Sequence, residues 1–379
     1  MKHIFSISLG LSLIITSVGW LLSSNRDSLT PVVAAVSNPI ANGQIIQISG
    51  EVQLERSQRR VIRPTIGTRV YPGDKLLTAS GAQVVVQCAD LSIQSVPSGQ
   101  NRLNGCPQAT EQAECNPKLV DCPHRGDKTA WNNNAIPYLI SPRRTYLLND
   151  QPLLRWNAVA GATVYTVTIE EDRKPFWQTT LSDTEVIYPG TPALKPGANY
   201  SLIVQTDTGV SSIQEEQIEP GIPYYRFSLL DEAQAQPIQA TLEQIRQQEL
   251  TDSAKALVIA QVYLKNDLIS EAIETLEKVV KSGVQSAPIY RTLGELYWNY
   301  LELEPQAKDY YSKAVELADS EDIEEKTAAQ NGLGQVEAAL GNNDAAVDWL
   351  TQALAGYQAL GDSERVSKLE NQLKLLTSY

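Results

Sequence analysis

The chain has 379 residues, of which 42% are hydrophobic and 20% are charged, and its formal net charge is −13 at pH 7. This length allows two or three domains with ordinary hydrophobic cores. The acidic balance argues against a nucleic-acid partner, because the chain has no stripe of lysine and arginine to neutralise phosphates. An acidic surface also serves simply to keep a protein in solution.

The first predicted element is an apolar run over residues 4–22. Its composition is typical of a bacterial export signal, with residues 1–35 as the targeting segment and 33–35 as a cleavage site. The run is also close to the roughly 20 residues that a helix needs to cross a bilayer, so an uncleaved anchor stays open. Both interpretations place the rest of the protein outside the cytoplasm, in the periplasm or cell envelope.

Short alternating apolar runs, bounded by turn residues, predict β-strands from residue 44 to residue 96. Pro-Gly-Asp at 72–74 predicts a turn between two strands, with Asp74 as a turn residue rather than a catalytic acid. The order of Gly50, Val52, Gly67 and this turn, followed by an apolar strand, resembles the FecR family of envelope β-domains. The resemblance implies a FecR-like β-domain over residues 43–106. The family's regulatory region is missing ahead of the apolar run, so sigma-factor signalling is not carried over.

The four cysteines lie in one short region: Cys88, Cys106, Cys115 and Cys122. An even number in an exported chain predicts disulfides, and of the three pairings we favour Cys88–Cys106 and Cys115–Cys122, because each closes a local loop. A metal site built from three cysteines and His124 matches no common zinc spacing. We therefore predict no metal and no cofactor, and residues 107–134 as a Cys-containing loop and linker.

A second set of strand signals runs through residues 135–228. Tyr165, Val167 and Ile169 alternate with threonines, so these three side chains share one face of a strand. Trp156 before a Gly-Ala-Thr turn, and the Leu-Lys-Pro-Gly-Ala-Asn-Tyr stretch that ends at Tyr200, resemble the fibronectin type III sandwich. The resemblance implies that Trp156 packs between two sheets and that Tyr200 fixes a corner.

Three segments within residues 240–379 share one spacing of small and apolar residues. In the first two they recur at i, i+3, i+4 and i+7, on one helix face, and a second helix follows a polar turn. The sets are Ala256, Ile259, Ala260, Tyr263 with Ala272, Leu276, Val279; Tyr290, Leu293, Gly294, Tyr297 with Ala307, Tyr311, Ala314; and Gln330, Leu333, Gly334, Glu337 with Ala346, Leu350, Ala353. Tyr263 and Tyr297 are 34 residues apart, a period that resembles the tetratricopeptide (TPR) family.

The TPR resemblance implies three stacked helical hairpins closed by a capping helix at 363–376. We predict a polar link at 230–239, a first amphipathic helix at 241–248, and solvated acidic charge at 319–325, between the second and third hairpins. The fold class is thus multidomain: two all-β domains, FecR-like and then fibronectin III-like, followed by an all-α TPR solenoid.

A stacked array exposes a groove lined by the first helix of each hairpin. In this register eight residues are predicted to face the groove and bind a partner: Gln261, Lys265, Arg291, Glu295, Trp298, Asn299, Asn331 and Gln335. Trp and Arg are enriched at interface hot spots, which favours Arg291 and Trp298. Two alternatives stay open: Trp298 packs against the neighbouring hairpin, or the polar residues are only a solvated face.

No phosphate-loop, metalloprotease or hydrolase motif occurs in the sequence, so we predict no enzyme. The favoured hypothesis is an envelope adaptor that binds a protein or peptide through the TPR groove. The alternative is a cell-wall or polysaccharide-binding protein that uses Trp131, Trp156 and Trp177 as stacking surfaces. The third interpretation is an enzyme built on an unrecognised pair of carboxylates.

Overall fold

Sixteen β-strands precede eight α-helices in the residues that this computed structural model describes, which are 41–56, 60–108, 135–215 and 225–377. The predicted export segment, most of the linker at 107–134, Cys115, Cys122, His124 and Trp131 lie outside these residues. None of the helices within them is long and apolar enough to cross a membrane.

The first eight strands form two antiparallel sheets of four strands each, which we call the first β-unit (residues 43–106). The strands are β1 (Gly43–Ser49), β2 (Val52–Glu55), β3 (Val61–Ile62), β4 (Arg69–Val70), β5 (Lys75–Thr78), β6 (Gln83–Cys88), β7 (Ile93–Val96) and β8 (Asn101–Leu103). Their orders are β4-β1-β6-β7 and β3-β2-β5-β8, so β3 and β4 are both edge strands. Ile45, Leu54, Leu76 and Val84 fill the core of the unit. The disulfide Cys88–Cys106 confirms one predicted pairing.

The Pro-Gly-Asp turn joins β4 to β5, which belong to different sheets. Asp74 is 1% exposed, and its carboxylate accepts a hydrogen bond of 2.8 Å from the Tyr71 backbone N–H. Gly73 has a φ of 89°, a conformation that glycine adopts without steric cost. Asp74 therefore stabilises the turn, which is the structural role predicted for it.

The next eight strands form the second β-unit (residues 139–229), in which a three-stranded sheet accompanies a five-stranded one. The strands are β9 (Leu139–Ser141), β10 (Thr145–Leu147), β11 (Leu153–Trp156), β12 (Tyr165–Glu171), β13 (Lys174–Leu181), β14 (Glu185–Ile187), β15 (Asn199–Thr206) and β16 (Arg226–Leu229). The orders are β14-β11-β9 and β10-β16-β15-β12-β13, with β10 and β16 parallel. Tyr165, Val167 and Ile169 point into the core, as the alternation predicted.

The helices are α1 (Glu232–Arg246), α2 (Asp252–Lys265), α3 (Ile269–Lys281), α4 (Ala287–Asn299), α5 (Glu304–Leu317), α6 (Ile323–Ala339), α7 (Asn343–Leu360) and α8 (Ser363–Thr377). The prediction of a polar link at 230–239 was wrong, because α1 begins at Glu232. Asp231 caps this helix by accepting a hydrogen bond from the Gln234 backbone, and the Gln234 side chain accepts one in return. Pro237 lies in the second turn and does not end the helix.

The predicted repeat register corresponds to three hairpins, α2–α3, α4–α5 and α6–α7. Glycines allow neighbouring helices to approach closely: a Cβ atom on Gly332 would lie 2.3 Å from the Tyr311 ring, and one on Gly294 would lie 2.9 Å from the same ring. Helix α8 packs Leu369 against Leu350 and Tyr357 of α7, as expected of a cap. The C-terminal part of the chain is thus a TPR-like helical array that follows two β-units.

Candidate protein-binding surface

The predicted groove corresponds to the surface carried by α2, α4 and α6, the first helix of each hairpin, which we call the inner face. The first β-unit contacts all three of these helices. The Lys265 ammonium on α2 donates a 3.2 Å hydrogen bond to the Ala89 carbonyl. Arg69 lies 3.2 Å from the Glu295 carboxylate on α4, and Arg56 forms an ion pair with Glu324 on α6. The chain itself therefore covers part of the inner face.

Strand β1 joins the two parts because both of its faces are buried. Ile45 points into the core of the first β-unit, whereas Ile46 belongs to the core of the helical array. Each is 0% exposed. Val85 on β6 is packed in the same array core as Ile46. The outer side of this sheet is thus a packed apolar interface rather than a solvated surface.

Arg291 is the most deeply buried charge on the inner face, with a side chain that is 3% exposed. Its guanidinium lies 2.7 Å from the Glu325 carboxylate of α6 and 2.5 Å from Glu295, one turn further along α4. Burial disfavours its charge, but the two carboxylates outweigh burial and raise the pKa of Arg291. Burial opposes ionisation of Glu295 as well, yet Arg291 and Arg69 lower the pKa of that carboxyl. This cluster ties α4 to α6 by charge.

A second group of polar contacts joins the first β-unit to the start of α6. Arg56 pairs with both Asp74 and Glu324. Thr65 donates a hydrogen bond to the carboxylate of Asp322, and the Tyr71 hydroxyl lies 3.3 Å from Glu324. Burial raises the pKa of Glu324. The β-unit thus supplies cations and hydroxyl groups, and the array supplies carboxylates.

The second β-unit contacts the array through α3 and the turn before it, and it also reaches α4 at Tyr297. Arg155 on β11 makes two hydrogen bonds to the Glu277 carboxylate, of 2.7 and 3.1 Å, and a third of 3.2 Å to the Tyr297 hydroxyl. Thr145 on β10 accepts a 2.9 Å hydrogen bond from the Ile269 backbone. The second β-unit is thus fixed to the array by polar contacts of its own.

Glu271 lies at this second interface and accepts a 2.7 Å hydrogen bond from the Leu148 backbone N–H. Burial raises the pKa of Glu271 from 4.5 to about 7. The folded state therefore binds the proton more tightly than the unfolded chain does. Protonation of Glu271 therefore stabilises the folded protein fully below about pH 4.5, and this stabilisation is lost as the pH rises through about 7.

Replacing Glu271 with glutamine should remove this loss, because the amide keeps an acceptor for Leu148 and carries no charge. We expect Glu271→Gln to unfold with a free energy about 1–2 kcal/mol higher than the wild type at pH 8 and to show a flatter profile between pH 4.5 and 7. Urea titrations across this range measure the effect. The exposed Glu249→Gln serves as the control. Parallel pH profiles for the Glu271 variant and the wild type would contradict the assignment.

The eight residues predicted to bind a partner divide into two groups in the structure. Arg291 and Trp298 are 2% and 6% exposed. The sequence favoured the groove face for both and left open that Trp298 packs against the neighbouring hairpin; the structure has Arg291 in an ion-pair cluster and Trp298 in the array core, which agrees with that alternative. The other six keep some exposure: Gln261, Lys265, Glu295, Asn299, Asn331 and Gln335. No contact within the chain tests partner binding, which stays a prediction for these positions.

The sequence missed the acidic residues at the start of α6. The segment 319–325 was expected to be a solvated loop, but Asp322 and Glu325 are 4% and 5% exposed, and α6 begins at Ile323. The sequence did contain a signal for this contact, because the two segments carry opposite charge. Arginines lie at 56, 60, 63 and 69, and carboxylates lie at 319–325. Nothing in their spacing shows that the two segments meet, because they are more than 250 residues apart.

The tryptophans considered for sugar stacking are placed differently from one another. Trp156 is 1% exposed, and its ring lies tilted against that of Tyr165 with the centroids 5.6 Å apart, so it is a core residue. Trp177 is half-buried and meets Tyr188 edge-on at 5.3 Å. Trp131 lies outside the described residues. Among those residues no cluster of His, Cys, Asp and Glu could hold a metal ion.

No protein-family model matches the chain, and no curated protein matches it. Solved structures match parts of it. MamA is 16% identical with a TM-score of 0.28, covering 39% of this chain and 96% of that chain. BtubC (BKLC) from P. vanneervenii is 17% identical with a TM-score of 0.29, covering 44% and 77%. A kinesin light chain of TPR-like repeats from Podosopora anserina is 20% identical with a TM-score of 0.27, covering 38% and 89%. The hairpins described above, rather than these likenesses, identify the TPR-like array.

Proposed function

We propose that this protein is a non-enzymatic, exported scaffold that binds a protein or peptide partner in the cell envelope. The observation that carries the proposal is the array of three hairpins closed by α8, since stacked hairpins of this kind present extended binding surfaces. The partner-binding part is the exposed remainder of the inner face. The two β-units are packed against the array and hold it in place.

The proposal includes the identities of the β-units. The Tyr200 hydroxyl accepts a 2.8 Å hydrogen bond from the Lys195 backbone N–H, five residues upstream, which is the geometry of a tyrosine corner. Together with the buried Trp156, this contact supports a fibronectin III-like second unit. The FecR-like interpretation of the first unit is supported by the Asp74 turn between its two sheets.

Location in the envelope rests on the predicted export segment, and the Cys88–Cys106 disulfide supports it, because disulfides persist in oxidising compartments. N-terminal sequencing of the protein recovered from the envelope fraction tests this part. A mature chain that starts near residue 36 means cleavage, and an intact chain in the membrane fraction means an anchor. Recovery from the cytoplasm would refute export.

Affinity capture from envelope extract tests the binding function. We expect the wild type to retrieve one protein reproducibly and the double variant Asn331→Ala/Gln335→Ala on α6 to lose it. Gln358→Ala on α7, the second helix of its hairpin, is the matched control and should retain the partner. Equal retrieval by all three proteins would argue against the inner face. Retrieval of polysaccharide instead of protein would favour the wall-binding alternative.

A further inference from the structure

The two sheets of the first β-unit end side by side in edge strands, β7 in one sheet and β8 in the other. A cleft of about 300 Å³ opens between these two strands. Its floor is apolar, because Leu76, Val86 and Val96 belong to the core of the unit. In the part of the chain that the structure describes, no further strand closes the two sheets along this side.

Two polar side chains reach into this cleft from its sides. Arg102 on β8 is paired with Leu76, and Gln94 on β7 is paired with Val86. Directly paired residues share a face of their sheet, and both partners are core residues, so Arg102 and Gln94 point between the sheets. Gln94 lies against the chain beyond β8, since a Cβ atom on Gly105 would be 2.7 Å from its Oε1 atom. The cleft therefore carries an amide on one side and a guanidinium on the other.

The Arg102 guanidinium forms no ion pair and no hydrogen bond with any other residue in the described ranges. The nearby cation of the same sheet, Lys75, is paired with Glu55 at 3.3 Å. Natural sheets use inward-pointing charges to keep apolar strands from adding to an edge. Such a charge still accepts a strand that places a carboxylate opposite it. Arg102 therefore favours an acidic strand over an apolar one.

The backbone of β8 has hydrogen-bonding groups that face away from its own sheet. The Thr78 backbone N–H donates a 3.0 Å hydrogen bond to the Gln100 carbonyl, and Arg102, two residues further on, faces β5 in the same way. Backbone groups alternate in direction along a strand, so those of Asn101 and Leu103 point away from β5. All three residues of β8 are exposed, and Leu103 is 63% exposed. This edge is therefore open to a further strand.

We propose that β8 is a docking edge for an extended, acidic segment of a protein partner. The segment adds as a fifth strand to the sheet of β8, with a carboxylate next to the Arg102 guanidinium. Side chains two positions from the carboxylate lie on the same face of the strand. An aliphatic side chain at such a position enters the cleft above Val86 and Val96.

A second copy of this chain does not fit the docking edge. Symmetric pairing centred on β8 sets Arg102 opposite Arg102, and like charges that face each other across two strands are destabilising. The docking edge also lies in the sheet that lacks β1 and β6, the strands that pack on the array. The inference therefore goes beyond partner binding at the inner face and does not rest on it.

The test uses the full chain and three labelled pentapeptides with blocked ends: Val-Thr-Asp-Thr-Val and its asparagine- and lysine-centred versions. We expect the wild type to bind the aspartate peptide about tenfold more tightly than the asparagine peptide, because only the carboxylate pairs with Arg102. Fluorescence anisotropy measures the binding. Arg102→Gln should remove this preference, and Arg102→Glu should bind the lysine peptide more tightly than the aspartate peptide.

The matched control is Arg226→Gln, which changes an exposed strand arginine of the second β-unit and should bind like the wild type. Equal binding of the three peptides to the wild type, or binding of none of them, would overturn the inference. Dimers of the wild type that exclude the peptide would overturn it too. These outcomes leave the inner-face hypothesis as it is, because Asn331 and Gln335 lie on the array.

Hydrogen exchange separates strand addition from a contact of the carboxylate alone. Saturating aspartate peptide should slow exchange of the Leu103 backbone N–H about tenfold, because that group becomes hydrogen-bonded. Exchange of the Val85 backbone N–H in β6 should stay unchanged. A peptide that binds without protecting Leu103 would show that no strand is added and would overturn the inference.

Discussion

Replacing Arg291 with alanine is expected to lower the free energy of unfolding by about 3–5 kcal/mol, because it leaves the buried Glu325 carboxylate without its cation. Glu325 is 5% exposed, and Arg291 is the cation that faces it at 2.7 Å. Unfolding of the full chain by guanidinium chloride measures this loss of stability. The matched control is Arg246→Ala on α1, where the arginine is 53% exposed and pairs with Glu243 at 3.7 Å. The control should change the free energy by no more than about 0.5 kcal/mol.

A triple variant separates the charge effect from the packing effect at this position. Arg291→Ala combined with Glu295→Gln and Glu325→Gln neutralises both carboxylates, but it does not restore the volume of the arginine side chain. We expect it to recover more than half of the loss. If the triple variant is no more stable than Arg291→Ala, the guanidinium acts by packing rather than by charge.

Replacing Tyr311 with alanine should cost about 3–5 kcal/mol, similar to other large aromatic deletions in cores. The ring is 3% exposed and lies between Gly294 of α4 and Gly332 of α6. Tyr300→Ala, at a residue 36% exposed, is the control and should cost less than about 1 kcal/mol.

The reciprocal substitution tests the same contact from the other side. Gly332→Ala adds a methyl group 2.3 Å from the ring and should cost about 1–3 kcal/mol. In a Tyr311→Ala background the same methyl group has room and should cost much less. Additive costs for the two changes would show that the ring and the glycine do not contact each other in solution.

The helical array was predictable from sequence because its signal is local. Gly294 and Tyr311 recur in register with Gly334 and Leu350, and in each pair the glycine meets the second helix of its own hairpin. The helix predicted at 241–248 corresponds to the second half of α1, but its first half was missed although the capping sequence, Asp231 to Gln234, was present, because Pro237 and the glutamines around it suggested a link. A proline in the second turn weakens a helix without ending one that is capped and packed.

The covering of the inner face was not predictable from a single sequence. The register correctly assigned Arg291 to the first helix of the second hairpin, but exposure depends on what lies opposite. Arg56 meets Glu324 across 268 positions, and no periodicity reports an ion pair of that separation. Trp298 shows the same difficulty, because its apolar character fits both a hot spot and a core.

Strand β1 has a consequence for how the chain reaches its final form. During synthesis Ile46 and Val85 are made long before the helices that cover them. The nascent chain therefore exposes an apolar patch at these residues. A fragment that ends before α2 would leave this apolar patch permanently exposed, and we expect such a fragment to aggregate or to bind chaperones. The first β-unit and the helices therefore fold cooperatively. Neither could be replaced by an unrelated domain in evolution without compensating changes in the other.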